Sequence, residues 1–159
     1  MKFTTLLYLM LSLLLISCST EDNDDTLVEI LGTWQSTAVE LQTAADLDRD
    51  GTANTNVLLE IPCYSASFIF ENNGVGAFEA SIITEETDEA SDEITFSCQE
   101  LERSDFLWRL EENQLVLTNP NDSSDITIFR ITLNNNNTLE VFAVRPFNDI
   151  PADFLFRRQ

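Results

Sequence analysis

The apolar residues of this chain recur at every second position, in short runs broken by turn signals. That period of two constrains the fold more than any other feature. Phe68 and Phe70 share one face of residues 66–71, and Asn72-Asn73-Gly74 follows as a hairpin signal. Phe78, Ala80 and Ile82 alternate along a return strand over 76–84. Ile94, Phe96 and Cys98 mark the next strand, and Phe106, Trp108 and Leu110 the one after it. Glu112-Asn113 turns the chain into 114–118, and a turn cluster from Asn119 to Ser123 precedes a strand over 126–133. Asn134 to Asn137 lead into 139–144, and 153–157 form a last short strand. Upstream, a helical turn over 27–31 leads into a first strand over 32–42. Eight or nine short strands with almost no helical pattern predict an all-β antiparallel domain over 27–159. Because nearly every connection is a short hairpin, an up-and-down β-barrel is favoured over a sandwich. Residues 85–93 hold six acids and are predicted to be a solvated hairpin tip.

The segment before this domain has a different character. Lys2, the apolar runs Leu6 to Leu11 and Leu13 to Ile16, and Ser17 describe a secretory signal peptide over residues 1–17. The apolar part is about half of the ~20 residues that a membrane-spanning helix needs. Leu15-Ile16-Ser17-Cys18 resembles the lipobox of bacterial lipoproteins. The resemblance implies cleavage before Cys18, acylation of that residue with palmitate-type chains, and a lipid anchor in the outer membrane. Residues 18–26 are acidic and polar and are predicted to be a flexible tether. Their acidity resembles a surface-export signal, so both the cell surface and the periplasmic face stay open. Within the tether, Asp25-Thr26-Leu27 resembles a bacterial O-glycosylation site.

Charge and missing residue types remove most function classes. Without Lys2 the mature chain holds 7 Arg against 28 Asp and Glu, a formal charge of −21. Such an excess repels phosphate backbones, so no nucleic-acid partner is expected. The chain has no histidine, so neither a Ser-His-Asp triad nor a Cys-His pair can be built. Ordinary zinc and copper sites fall for the same reason. Gly32, Gly51, Gly74 and Gly76 form no phosphate-binding loop. Only a glycosidase-like carboxylate pair survives, and among 28 acids such a pair carries no signal. The chain is therefore read as a non-enzyme, expected to be monomeric.

With Cys18 assigned to lipid, Cys63 and Cys98 remain in a compartment that permits disulfides. A bridge between them would close a loop of roughly 35 residues, stabilising by about 3–4 kcal/mol. Two separate buried thiols are the alternative.

Leu31-Gly32-Thr33-Trp34 resembles the Gly-x-Trp opening of lipocalins, in which the tryptophan closes one end of the barrel. It is followed by Asp46-Leu47-Asp48-Arg49-Asp50-Gly51, Leu58-Leu59-Glu60, Cys63 and Phe68-Ile69-Phe70 with Asn73-Gly74. That order, with the later Trp108-Arg109-Leu110, Leu115-Val116-Leu117 and Leu139-Glu140-Val141, is similar to the lipocalin-like domain family of bacterial lipoproteins. The resemblance spans about residues 30–145. It implies a small barrel closed by Trp34, with room for an apolar ligand and no defined activity.

Asp46, Asp48 and Asp50 before Gly51 could converge on one hard cation, as in the first half of an EF-hand loop. The bidentate glutamate of a full loop would fall at Val57, so Glu60 is the candidate substitute, with Thr52 supplying a carbonyl. Calcium is the expected ion. Trp34, Phe68, Phe70, Phe78, Phe96, Phe106, Trp108, Phe129 and Phe142 supply core volume, and some are candidates to line a cavity. The leading expectation is thus a lipid-anchored barrel binding a small apolar ligand. The alternative is a calcium-stabilised structural or adhesive module binding another protein or glycan.

Overall fold

A computed structural model describes residues 29–134, 137–147 and 150–159. The signal peptide, Cys18 and the tether lie outside these residues. The chain forms β1 (Gly32–Ala45), β2 (Asn54–Asn56), α1 (Val57–Glu60), β3 (Ala66–Phe70), β4 (Val75–Thr87) and β5 (Ile94–Glu111). β6 (Gln114–Asn119), β7 (Asp122–Asn134), β8 (Thr138–Phe147) and β9 (Ile150–Arg158) follow. Strands β3 to β9 pair in sequence order, each antiparallel to the next, and β1 pairs with both β3 and β9. Eight strands therefore close on themselves as an up-and-down barrel, with β2 as a ninth strand added beside the end of β1. Closure leaves the barrel strands without a free edge, which suits a sheet assembled from hairpins.

Antiparallel order gives the barrel two distinct ends. The start of β1, the ends of β7 and β9 and the turns after β3 and β5 sit at the base. The loop 46–53, the turns after β4 and β6, and the start of β9 sit at the mouth. The base turns carry the expected chemistry: Asn73 Oδ1 accepts from the Val75 amide, and Gly74 takes a φ of 76°.

Several strands differ from the period-two reading. Ile82 does not share the inward face of Phe78 and Ala80. The β4–β5 register shifts between Ser81 and Ile83, leaving Ile82 44% exposed while Ile83 packs on the core. Residues 94–111 form one strand rather than two, because Leu101 to Asp105 stay paired with β4 although they are exposed, with Gln99 and Glu100 at the register shift. The turn after β6 is only Pro120-Asn121, so Asp122 to Asp125 belong to β7. Phe142 lies outside the core, 4.6 Å from the Arg130 guanidinium over its ring.

Helix α1 was absent from the sequence reading. It lasts one turn, started by Asn56, whose side chain accepts from the Leu58 amide at 3.0 Å, and stopped before Pro62. Its Val57 and the following Ile61 are fully buried, and they join Val39, Leu41 and Tyr64 in the core cluster.

Candidate ligand cavity

The base half of the interior is filled. Trp34 is completely buried there, and its Nε1 donates to the Ile30 carbonyl at 2.7 Å. The Arg158 guanidinium, from the last strand, stacks 4.7 Å over the Trp34 ring and donates to the Glu29 carbonyl. First and last strands are thereby locked at the end where Trp34 sits. Above it, Phe70 packs edge-on against Trp108 at 5.3 Å and Phe68 meets Phe156 at 5.2 Å. Burying each such ring contributes roughly 1.5–3 kcal/mol.

Towards the mouth the packing stops. A cavity of about 350 Å³ opens between β3 and β9, at the lower end of the ~300–1,000 Å³ range of ligand pockets. Its floor and walls are Phe68, Phe78, Phe106, Leu117, Phe129, Val141, Phe154 and Phe156. Strand alternation puts them there. Phe129 continues inward from buried Ile131, whereas Ile126 and Ile128 point out, 48% and 57% exposed. The rim is polar: Ser104, Asp105, Thr118, Asn119, Asp125 and Thr127 stand where β5, β6 and β7 reach the mouth. Asn119 Nδ2 donates to Asp125 Oδ2 at 3.1 Å, and Asn119 Oδ1 accepts from the Asn121 amide at 2.9 Å.

Cys63 and Cys98 form a disulfide, with Cα atoms 5.6 Å apart. It joins the loop after α1 to β5, where the β4–β5 hairpin runs past the barrel. The hairpin tip also meets the loop 46–53: the Ile94 amide donates to the Asp48 carbonyl at 2.6 Å, and Arg49 pairs with Asp92 at 3.4 Å. The mouth is therefore covered on the α1 side and open towards β5–β7.

Carboxylate oxygens of Asp46, Asp48 and Asp50 come within 4.8 Å of one another. The loop also binds itself. Asp46 accepts from the Gly51 amide, Asp48 from the Asp50 amide and Asp50 from the Thr52 amide. Partial burial, with the like charges of Asp50, Glu60 and Asp46, pushes the Asp48 carboxyl up against the lowering effect of the Asp50 amide. Glu60 stands apart from this trio. It is buried, 2% exposed, and accepts from the Leu47 and Asp48 amides at 2.7 and 3.4 Å and from Asn54 Nδ2 at 2.6 Å. Its visible work is to hold the loop to α1.

Trp34 is not part of the cavity lining; it seals the opposite end. Three contributors escaped the sequence reading. Arg158 is one of two adjacent terminal arginines with no local signal to separate it from Arg157. Asp125 fell between the turn cluster ending at Ser123 and the strand expected from Ile126. Gly76 is required by a ring that lies far from it in sequence.

No protein family matches the chain, and no curated protein matches it. Among solved structures, a lipocalin-like protein from Bacteroides uniformis is 13% identical, with 82% of this chain and 99% of that one covered and a TM-score of 0.42. An uncharacterized protein from Bacteroides eggerthii is 10% identical over 81% and 98%, with a TM-score of 0.41. A fatty-acid-binding protein from Echinococcus granulosus is 10% identical over 82% and 98%, with a TM-score of 0.33. The barrel assignment rests on the strand pairing itself, which closes β1 on β9.

Proposed function

We propose that this protein is a lipid-anchored lipoprotein of the outer membrane whose barrel binds a small apolar ligand and performs no covalent chemistry. The observation that carries the binding half is the 350 Å³ cavity, walled by phenylalanines and open at one end. A structural or adhesive module would call for a filled barrel, so the cavity favours the binder. The anchoring half rests on Leu15-Ile16-Ser17-Cys18 and the acidic tether that follows.

Two experiments test the halves separately. Cells expressing the chain should incorporate labelled palmitate into it and hold it in the membrane fraction. Cys18→Ser should abolish both; a labelled, membrane-bound variant would refute the anchor. The mature chain carrying Cys18→Ser should bind the neutral fluorophore N-phenyl-1-naphthylamine saturably at one site. Thr127→Trp, on the rim, should weaken that binding about tenfold at unchanged melting temperature. Non-saturable binding, or binding indifferent to Thr127→Trp, would refute the cavity reading.

A further inference from the structure

We propose that the cavity selects apolar molecules ending in a protonated amine over those ending in a carboxylate. The inference rests on the reading of the barrel as a ligand binder and names the chemistry of its ligand. An apolar chain seated among Phe78, Phe106, Phe129 and Phe154 must leave its polar end at the rim, because nothing polar lies deeper in the lining. That rim offers acceptors. Asp125 follows the inward alternation of Thr127 and Phe129, its partner is the neutral Asn119 amide, and among the described residues it makes no ion pair. One of the two N–H groups of the Asn119 amide, donors that could have met a carboxylate, is given to Asp125.

Among the described side chains, most of the cations that a carboxylate would need are engaged by other partners. Arg103 is held by Glu79 and by Asp105 of the rim, each at 2.9 Å, and Arg109 by Glu111 at 2.6 Å. Arg49 pairs with Asp92, Arg130 lies over Phe142, and Arg158 is stacked on Trp34 at the closed end. None of the described arginines lines the cavity. The phenylalanine faces, negative at their centres, favour a cation beside them and disfavour an anion. The whole chain adds to this: a formal charge of −20 makes the mouth a sink for cations and a barrier to anions.

The test uses the mature chain carrying Cys18→Ser, with dodecylamine, dodecanol and dodecanoate competing against N-phenyl-1-naphthylamine at neutral pH and low salt. The amine should bind tightest and the carboxylate weakest, with about a tenfold gap between them that narrows as salt is added. Asp125→Asn, which keeps an acceptor for Asn119, should weaken the amine about threefold relative to the alcohol. Glu111→Gln removes the same charge from the outer face and should leave that ratio unchanged. Equal affinities, a preference for the carboxylate, or a ratio indifferent to Asp125→Asn would overturn the proposal while leaving the cavity reading standing. Failure of all three to displace the neutral fluorophore would overturn both.

Discussion

Phe106 lies across the bare Cα of Gly76, its partner in the β4–β5 ladder. A Cβ at Gly76 would stand 2.4 Å from Phe106 Cε2 and 2.6 Å from the Ile69 carbonyl oxygen. The ring is a cavity wall, so the glycine in one strand sets the shape of the site through its neighbour. Gly76→Ala should force both the ring and the β3 backbone to move, costing about 1–3 kcal/mol. Urea unfolding should show a lower midpoint at unchanged slope. Adding Phe106→Leu should recover part of the ligand affinity but little stability, since the Ile69 carbonyl cannot yield as a side chain can. An unchanged midpoint in Gly76→Ala would contradict this packing.

Glu60 makes a second local dependence measurable. Its carboxylate is buried and accepts from three donors: the Leu47 and Asp48 amides and Asn54 Nδ2, the last also reaching the Thr52 carbonyl at 3.4 Å. Glu60→Ala removes this shared acceptor and should cost about 1–3 kcal/mol. Hydrogen exchange should rise first at Leu47 and Asp48, since the loop 46–53 loses its tie to α1. Protection unchanged at those two amides would assign the buried glutamate no such role.

The barrel was legible because alternation and turn chemistry are local. Phe68 with Phe70 and Asn73-Gly74 specify a hairpin without reference to the rest of the chain. What escaped depends on distant partners. The register shift after Ser81 moves Ile82 outward, and nothing in Ser-Ile-Ile announces it. Gln99 to Asp105, mostly polar, look like a break, yet pairing of Leu101 to Asp105 with β4 carries one 18-residue strand through them. For the cavity, the sequence supplied the rings but not the vacancy. Phe68 and Phe70 are equivalent in alternation, yet Phe70 meets Trp108 in the filled base while Phe68 lines open space. Whether a ring is plug or wall depends on what six other strands place opposite it.

The disulfide should act on the mouth rather than the base. Cys63–Cys98 closes a separation of 35 residues, for which chain entropy gives about 3–4 kcal/mol. Replacing both by serine should lower the melting temperature by about 10 °C. Exchange should increase most over Ile94 to Cys98 and at Tyr64, while the amides paired between β1 and β9 stay protected. Uniform loss of protection would place the staple's effect on the whole barrel instead.

Tyr64 gives the pH dependence a clean reporter. The sequence holds two tyrosines, Tyr8 and Tyr64, so a chain made from Cys18 onward carries Tyr64 alone. The residue is 8% exposed and meets Phe154 edge-on at 6.4 Å, and burial pushes its phenol from 10.0 up to about 12. In the unfolded chain the phenol releases its proton near 10, so above that pH the unfolded state binds fewer protons than the folded one. Stability is therefore fully present below pH 10 and lost as pH rises through about 12, by roughly 2–3 kcal/mol from this group. Tyrosinate absorbance of the folded protein should appear about two pH units later than in urea. Tyr64→Phe should flatten the alkaline limb of the stability curve, and coincident titrations in the folded and unfolded states would show that the ring is not buried as described.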